Sequence, residues 1–416
     1  MSHLPDFEQM WRDLTPIGRS ASSGGYFRQP WHAAELELRA WFREAATARG
    51  LEVEEDPFGN LVAWWGPARS SRAETPGAIL TGSHLDSVLD GGAYDGPLGV
   101  VSSFAALDLM RERGVEPSRR LGVAAFVEEE GSRFGRACLG SRLAVGATTW
   151  SDAAQLTDRE GVRLGDVVAG PAAATSTGAA AGSRMLEGVA AYVELHVEQG
   201  RGLIDRDAPV GVHSAIWPHG RYRYDIAGRA DHAGTTRMED RIDPMLTFAM
   251  TALAANKQAR VSTGSTGDTA RATFGRIDVR PNGTNAVPSQ VTAWLDARAE
   301  SDEALGALVG EIERQATARA ERDGTSITVT PESVSGEVAF DAALRDELAA
   351  RLGGVPVLPT QAGHDAGILQ AAGIPTAMLF VRNPSGVSHS PYETAETADC
   401  LAGVEALADS LTGLVQ

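Results

Sequence analysis

The apolar positions of the first two hundred residues follow two alternating patterns. Segments with the 3.6-residue spacing of a helix are separated by short apolar runs that are typical of buried strands. The helical segments are 32–49, which ends at Gly50, and 97–113, and the strand-like segments are 60–65, 77–81 and 121–127. This alternation predicts an α/β layer built on a largely parallel sheet.

The pattern changes after about residue 212. A strand is predicted at 221–230, and Asp243 followed by Pro244 has the N-cap and first-position chemistry of a helix that runs to Arg260. The remaining predicted elements are strands at 272–280 and 291–299, a helix at 302–322 with Leu305, Leu308, Val309 and Ile312 on one face, and a strand at 326–330. The order β-α-β-β-α-β is that of a split-βαβ sandwich. We therefore expect an inserted α+β domain at 213–330.

Helix and strand patterns resume beyond the insertion, with a helix at 340–352, a strand at 375–381 and a C-terminal helix. The first domain is therefore predicted to combine 1–212 with 331–416, as an α/β domain whose mixed sheet is flanked by helices. The low-complexity segment "AGPAAATSTGAAAGSR" at 169–184 is expected to be a surface loop without chemistry.

Composition and charge exclude some classes of function. The 416 residues suit two domains, and 43% hydrophobic residues suit a globular protein. A net charge of −18 argues against a nucleic-acid partner. The chain lacks an apolar run of membrane-spanning length and a signal-peptide core, so we expect a cytoplasmic protein without a membrane partner. Cys138 and Cys400 are expected to be thiols, with a single disulfide as the alternative.

The candidate chemistry lies in loops that follow the predicted strands. The stretch "GSHLDSVLDGGAYDGPLGV" at 82–100 places His84, Asp86 and Asp95 in a glycine-rich loop after a strand. Three further segments have similar positions: "EEEG" with Glu129 and Glu130, "AYVELHVEQG" with His196, and "GVSHSPYE" with His389. Open α/β sheets form their sites beyond the carboxyl ends of strands, so we expect these loops to meet.

Imidazoles and carboxylates together suit a divalent transition metal. Asp95 could bridge two metals about 3.5 Å apart, and the adjacent Glu129 and Glu130 offer one base and one ligand. Each residue alone has a structural explanation, but four such loops together favour a metal site. Asp86 either orients the His84 imidazole or caps the turn. The chain has neither a P-loop nor an HExxH motif, so a nucleotide-driven enzyme and a thermolysin-like protease are unsupported.

These motifs resemble the M20 family of metal-dependent amidohydrolases, and most closely its carbamoylase branch of allantoate amidohydrolase, N-carbamoyl-L-amino acid hydrolase and β-ureidopropionase. The resemblance rests on the loops above and on "EEEGSRFG", "ADHAGTTRM", "PNGTNAVP", "LDARAE" and "AGHDAG", which follow the family's order. It covers nearly the whole chain.

The resemblance implies a site for two metals, usually zinc, manganese, cobalt or nickel. By this analogy His84, Asp95 and His196 hold one metal. Asp95, Glu130 and His389 hold the other. Glu129 is then the general base, which activates a water molecule and later protonates the leaving nitrogen.

The resemblance also makes the inserted domain a lid and dimerisation domain. His232 would reach across the dimer to stabilise the oxyanion, and Arg298 would clamp a substrate carboxylate. Asn285 and Gln199 match positions that contact the substrate, and His364 is expected near the pocket without an assigned role.

The resulting hypothesis is a homodimeric hydrolase of a ureido or carbamoyl C–N bond in a small carboxylate substrate. The first alternative keeps the metal site but cleaves an N-formyl or other N-acyl amino acid, or a dipeptide. The second alternative is a metal-binding scaffold without turnover, which the presence of every expected ligand and of the base disfavours.

Overall fold

The computed structural model describes residues 6–67, 77–168, 183–262 and 269–416. The chain forms two compact units: unit 1 comprises Met1–Ala215 and Ala339–Gln416, and unit 2 comprises Ile216–Val338. The predicted loop at 169–184 lies outside the described residues except for its last two positions. Cys138 and Cys400 are both free, so the alternative of a single disulfide is wrong.

The elements follow one another in chain order through the two units. The first segment of unit 1 contains α1 (Phe7–Leu14), α2 (Ala33–Ala48), β1 (Glu52–Glu55), β2 (Leu61–Trp65), β3 (Ala78–His84), α3 (Pro97–Glu112), β4 (Leu121–Phe126), α4 (Leu139–Ala144), α5 (Trp150–Ala153), α6 (Leu164–Val168), β5 (Val189–Val197) and β6 (Val210–Ile216). Unit 2 contains β7 (His219–Ala227), β8 (Asp231–His232), α7 (Pro244–Val261), β9 (Ala270–Arg280), β10 (Ala286–Val287), β11 (Gln290–Ala299), α8 (Asp302–Asp323) and β12 (Ser326–Ser335). The last segment contains β13 (Val338–Ala339), α9 (Ala342–Arg351), β14 (Val357–Thr360), α10 (Asp365–Ala371), β15 (Thr376–Val381) and α11 (Thr397–Val415). In the described ranges, none of the helices has the length and apolar character needed to cross a membrane.

The sheet of unit 1 has the strand order β1-β2-β4-β3-β5-β15-β6-β13, with β14 beside β6. The central strands β4, β3, β5 and β15 are parallel to one another. Strands β1, β2 and β6 pair antiparallel on the two sides of this centre. The parallel strands are almost completely buried, as expected where helices cover both faces of a sheet. The α/β class and the mixed sheet are confirmed.

Helix α3 connects the glycine-rich loop to this sheet. Pro97 lies in the first turn of α3, where the missing N–H has no partner to lose. Most residues of α3 are buried. A Cβ atom on Gly99 would lie 2.3 Å from the carbonyl oxygen of Leu195 on β5. Only glycine therefore lets the helix approach the strand so closely, which holds the start of α3 next to β5.

Unit 2 contains a four-stranded antiparallel sheet in the order β12-β7-β11-β9. The buried face of α8, with Leu305, Leu308 and Ile312, packs in one core with Tyr224 and Leu295 from the sheet. The Asp243 side chain accepts a hydrogen bond from the Met245 amide and caps α7.

The boundaries of unit 2 differ from the predicted insertion at 213–330. Strand β6 continues to Ile216, so the sheet of unit 1 extends beyond residue 212. Strand β12 was expected to end at residue 330, but it continues to Ser335 after a register shift between Pro331 and Ser333. The alternation of apolar residues stops at this shift, which is why the sequence pattern ends too early.

Candidate metal centre

Four parallel strands bring the candidate residues to one edge of the unit 1 sheet. His84 is the last residue of β3, and Glu129 and Glu130 follow the end of β4. His196 lies near the end of β5, and His389 lies in the loop after β15. Because these strands are adjacent and parallel, their carboxyl ends meet at the same edge.

Asp95 is at the centre of two groups of potential ligands. Its Oδ1 lies 3.2 Å from His196 Nε2 and 3.6 Å from His84 Nε2. Its Oδ2 lies 3.4 Å from His389 Nε2, which is also 3.4 Å from Glu130 Oε2. Within each triad, one ligand atom per residue lies within 4.8 Å of the others. The structure thus brings together the same two triads that the resemblance implied, joined through one carboxylate.

The imidazoles of His84 and His196 are oriented as metal ligands are. The His84 Nδ1 lies 3.1 Å from the carbonyl oxygen of Asp86, and the His196 Nδ1 lies 2.9 Å from that of Val197. A carbonyl oxygen only accepts, so each Nδ1 donates and each Nε2 faces Asp95. The His84 Nε2 is buried and has no hydrogen-bond partner among the described residues. This orphaned nitrogen fits a cation between the side chains.

The electrostatics of the cluster also favour a cation. Burial lowers the pKa of His84, but the carboxylates of Glu129, Asp86 and Asp95 more than reverse this and raise it well above its usual value. Burial and the charges of Asp95 and Glu129 raise the pKa of Glu130 well above its ordinary value. Without a metal, the side chains therefore retain protons where carboxylates would otherwise repel one another.

Glu129 lies beside the triads without belonging to either. Its Oε2 is 3.6 Å from His84 Nε2, and its Oε1 accepts a hydrogen bond of 3.2 Å from the Cys138 thiol. Burial raises the pKa of Glu129 to about 7. A buried carboxyl group beside the potential metal ligands lies where a general base for an attacking water is required.

Asp86 connects the loop after β3 with the loop after β4. Its two carboxylate oxygens accept hydrogen bonds from the amides of Glu129 (3.2 Å) and Glu130 (3.1 Å). Its Oδ1 also lies 3.5 Å from His84 Nδ1. The side chain therefore holds the backbone of the acidic segment after β4 and lies beside the His84 imidazole.

The loop around Asp95 is held by residues that sequence reasoning missed. Glu393 Oε1 accepts hydrogen bonds from the amides of Tyr94 (2.8 Å) and Asp95 (3.0 Å). The Ser388 hydroxyl lies 3.1 Å from Asp95 Oδ2 and 3.2 Å from Glu393 Oε2. Both residues are in the segment "GVSHSPYE", and the signal that could have found them is that they lie close to His389 in the sequence.

Gln199 and His364 also lie at this centre. Gln199 Nε2 donates to Asp95 Oδ2 at 2.8 Å and lies 3.1 Å from the Ser388 hydroxyl. His364 is buried, and its ring packs edge-to-face against His196 with 4.6 Å between centroids. Burial and the neighbouring His196 and His213 lower the pKa of His364 well below its usual value. Both side chains thus contact potential ligands of the metal centre.

Comparison with known proteins agrees with this geometry. The model of peptidase family M20/M25/M40 matches residues 80–412. The chain is 35% identical to N-carbamoyl-L-amino acid amidohydrolase of Geobacillus stearothermophilus, with 98% of each protein covered. It is 31% identical to allantoate amidohydrolase of Escherichia coli strain K12, with 93% of this chain and 92% of that protein covered.

The chain belongs to peptidase family M20/M25/M40. A solved structure supports the assignment at the level of the fold. An amidase of the hydantoinase/carbamoylase family from Burkholderia vietnamiensis superposes with a TM-score of 0.87 at 26% identity, covering 100% of this chain and 98% of that one.

The other residues that the M20 resemblance singled out lie in unit 2. His232 and Asn285 are neighbours because β8 pairs with β10. The Ala233 amide, next to His232, donates a hydrogen bond of 2.9 Å to the Asn285 carbonyl oxygen. Both residues are exposed. Arg298 lies on β11, where Nε and Nη2 donate to the two carboxylate oxygens of Asp296 at 2.8 and 3.1 Å.

Proposed function

We propose that this protein is a metal-dependent hydrolase of a ureido or carbamoyl C–N bond in a small carboxylate substrate. The observation that carries the proposal is the pair of triads joined by Asp95, with the buried Glu129 beside them. The relatives named amidohydrolases of N-carbamoyl-L-amino acids and of allantoate match over nearly their whole length, which supports the same class of substrate.

The centre is proposed to hold two divalent cations. Zinc or manganese is expected, with cobalt or nickel as alternatives, because mixed imidazole and carboxylate ligands suit these metals. His84 and His196 would bind one cation, Glu130 and His389 would bind the other, and Asp95 would bridge them. When bound, two such cations lower the pKa of a water molecule and polarise the scissile carbonyl group.

The side chains of unit 1 supply the proton transfers. Glu129 accepts a proton from the attacking water as the new C–O bond forms at the carbamoyl carbon. It then gives this proton to the nitrogen as the C–N bond breaks. Asp86 keeps the Glu129 backbone in place through its hydrogen bond to the amide. Breaking one C–N bond of an N-carbamoyl amino acid leaves a carbamate, which loses carbon dioxide as its own C–N bond breaks, so the final products are the amino acid, ammonia and carbon dioxide.

Substrate recognition is proposed for the residues that the resemblance indicated. His232 donates a hydrogen bond to the developing oxyanion, and Arg298 binds the substrate carboxylate with its planar guanidinium. Gln199, Asn285 and His364 complete the substrate-binding set. Arg298 is held in a bidentate arrangement by Asp296, so its guanidinium is already oriented before any substrate binds.

A deacylase or dipeptidase with the same centre is the second candidate. It is favoured by the family model, whose description is that of a peptidase family. The metal ligands and Glu129 act on the carbonyl group alone, so they do not select between a carbamoyl, a formyl and an aminoacyl group.

Product analysis of the metal-loaded protein tests the proposal. The Mn²⁺- or Zn²⁺-loaded protein is incubated with allantoate, N-carbamoyl-L-amino acids, β-ureidopropionate and N-formyl-L-glutamate, and ammonia and formate are measured. We expect ammonia from at least one ureido compound. Formate without ammonia would move the protein to the deacylase class, and neither product would contradict the hydrolysis of ureido and N-formyl compounds alike.

The Glu129→Gln variant tests the assignment of the base. Turnover should fall by about a hundredfold or more, while the metal content stays that of the unmodified protein. The exposed Glu8→Gln serves as the matched control and should change neither quantity. Full activity of Glu129→Gln would show that another group is the base.

We further propose a cytoplasmic homodimer that forms through unit 2. Helix α7 exposes Leu246, Met250, Leu253 and Val261 on one face. Strand β9 is at the edge of the unit 2 sheet and pairs only with β11 among the described residues. An apolar stripe beside an open sheet edge suits association with a second copy of the same surface. Two free thiols are typical of a reducing compartment.

A further inference from the structure

The ring of His232 accepts two backbone hydrogen bonds at the same nitrogen. The amides of Gly234 and Thr235 donate to His232 Nδ1 at 3.0 and 3.2 Å. A backbone N–H is always a donor, so Nδ1 presents its lone pair to both of them. In the neutral imidazole the single ring proton is then on Nε2.

The turn that makes these contacts is closed by its own side chains. The Asp231 carboxylate accepts a hydrogen bond of 2.9 Å from the His232 amide. The hydroxyl and the amide of Thr236 both donate to the His232 carbonyl oxygen, at 2.8 and 3.1 Å. The backbone on both sides of the imidazole is therefore fixed within the segment 231–236.

Gly234 lets the His232 ring lie close to the backbone of the turn. A Cβ atom at this position would lie 3.2 Å from His232 Cε1 and 3.5 Å from His232 Nδ1. The first distance is tighter than an ordinary van der Waals contact, so an alanine would push the ring away from the two amides.

Arg241 joins the two ends of this turn. Its Nη2 donates to the carbonyl oxygens of Ala233 (2.7 Å) and Thr236 (3.1 Å), and its Nε lies 3.3 Å from the Thr236 oxygen. The side chain is only half-buried, yet it contacts the turn on both sides of Gly234 and Thr235. Its guanidinium thus holds the two donor amides at the spacing that the imidazole needs.

We infer that the segment 231–236 holds His232 as the Nε2–H tautomer, and that Arg241 is the positioning residue that keeps this arrangement. The catalytic part of this inference rests on the proposed function, in which His232 donates a hydrogen bond to the oxyanion. The fixed tautomer makes His232 a donor that is already oriented. A preorganised donor needs no reorientation during the reaction. His232 is then a donor in both reaction steps, and Glu129 remains the group that transfers the proton.

Nitrogen NMR of the full-length protein labelled with ¹⁵N-histidine tests the tautomer directly. Long-range ¹H–¹⁵N spectra distinguish a protonated Nε2 from a protonated Nδ1, and the signal missing in His232→Gln assigns the residue among nine histidines. We expect a single Nε2–H species. A protonated Nδ1, or a mixture of both tautomers, would overturn the inference. This measurement is independent of any substrate, so it can fail or succeed separately from the proposed function.

Arg241→Gln and Arg237→Gln form a matched pair for the positioning role. Arg237 is exposed and pairs with Glu239 and Asp240 instead of the turn carbonyls. We expect Arg241→Gln to give both tautomers and to lower kcat by about tenfold with an unchanged KM, while Arg237→Gln behaves like the unmodified protein. An unchanged tautomer in Arg241→Gln would contradict the role of Arg241. If Arg241→Gln does not fold, Gly234→Ala gives the same readout, because its methyl group displaces the ring.

Two substitutions of His232 test the donor itself. The amide nitrogen of a glutamine can replace Nε2, whereas the shorter asparagine reaches only the position of Nδ1. We expect His232→Asn to lose about a hundredfold in kcat and His232→Gln to retain about tenfold more activity than His232→Asn. Equal loss in both variants would contradict a specific role for the Nε2 proton.

Discussion

Burial keeps the ring of His213, near the metal centre, uncharged. His213 is 4% exposed, and its ring stacks on Phe380 with 3.9 Å between centroids. Its Nδ1 lies 3.1 Å from the carbonyl oxygen of Leu358. Burial lowers the pKa of His213 to about 3, and the neighbouring His196 adds to this effect. The neutral ring is therefore part of the packing, and protonation would require the site to open.

The first prediction concerns the acid stability of the metal-free protein. The pKa of His213 is about 3 in the folded state, against 6.5 for an ordinary histidine, so its stabilising effect is present above pH 6.5 and is lost as the pH falls toward 3. Each pH unit in this window costs about 1.4 kcal/mol. His213→Phe keeps a stacked ring without the titration. When the pH falls from about 7 to about 5, the stability of His213→Phe relative to the unmodified protein should improve by about 2 kcal/mol.

Chemical denaturation at the two pH values measures this difference. The control is His32→Phe, because the His32 side chain is exposed. If the difference in free energy of unfolding between His213→Phe and the unmodified protein stays constant with pH, folding does not lower the pKa of His213.

At the scale of elements, the loop between β3 and α3 shows how backbone shape makes room for ligands. Gly96 has a φ of +88°, and a Cβ atom there would lie 2.4 Å from the His84 ring. Gly114 follows α3, has a φ of +71°, and its Cβ would meet nothing within 4 Å in the described part of the chain. Both glycines supply left-handed backbone, but only Gly96 also leaves space for a ligand.

The second prediction compares alanine at these two positions. Gly114→Ala should lose about 1–2 kcal/mol of stability, because alanine disfavours a positive φ, and Gly96→Ala should lose more, because its methyl group also meets the buried His84 ring. Only Gly96→Ala should displace His84 and weaken metal binding, by about tenfold or more. Metal titration followed by mass spectrometry or calorimetry measures the affinity. Equal affinity in the two variants would show that the His84 ring can move aside without cost.

At the scale of the whole molecule, the proposed dimer depends on one surface of unit 2. The exposed leucine, methionine and valine side chains of α7 are spaced at three to four residues or multiples of this, so they share a face. Strand β9 also exposes Ile277 near the middle of its length. An edge strand with exposed apolar residues is a surface that proteins normally cover.

The third prediction concerns the oligomeric state. We expect the unmodified protein to be a dimer, and Leu253→Glu to weaken association by about 3 kcal/mol, or about a hundredfold. The control is Leu36→Glu, a comparably exposed leucine on α2 of unit 1. Light scattering coupled to size-exclusion chromatography measures the masses across a dilution series. A monomeric unmodified protein, or a Leu253→Glu variant as dimeric as the control, would contradict the proposed surface.

Elements with a strong apolar pattern could be predicted from the amino-acid sequence. The helix predicted at 97–113 is found at Pro97–Glu112, and the strand predicted at 121–127 is found at Leu121–Phe126. The split-βαβ order of unit 2 could also be predicted, because α7, α8 and the four strands of its sheet each have their own periodicity, whereas the two-residue strands β8 and β10 have none. The candidate ligands could be named because each lies at the end of a strand or in the loop after it, and the carboxyl ends of parallel strands meet at one edge.

The residues that hold these ligands in place could not be predicted, because they lie far from the ligands in sequence. Strand β1, with the sequence "EVEE", has no apolar alternation and is recognised only by its pairing with β2. Glu393 supports Asp95 from a position 298 residues further along the chain, and Cys138 contacts Glu129 only because of a turn between β4 and α4. Periodicity and capping depend on neighbours in sequence, whereas these contacts arise when distant segments pack together. The sequence therefore determines the elements and the reactive groups, and the packing decides how each group is oriented.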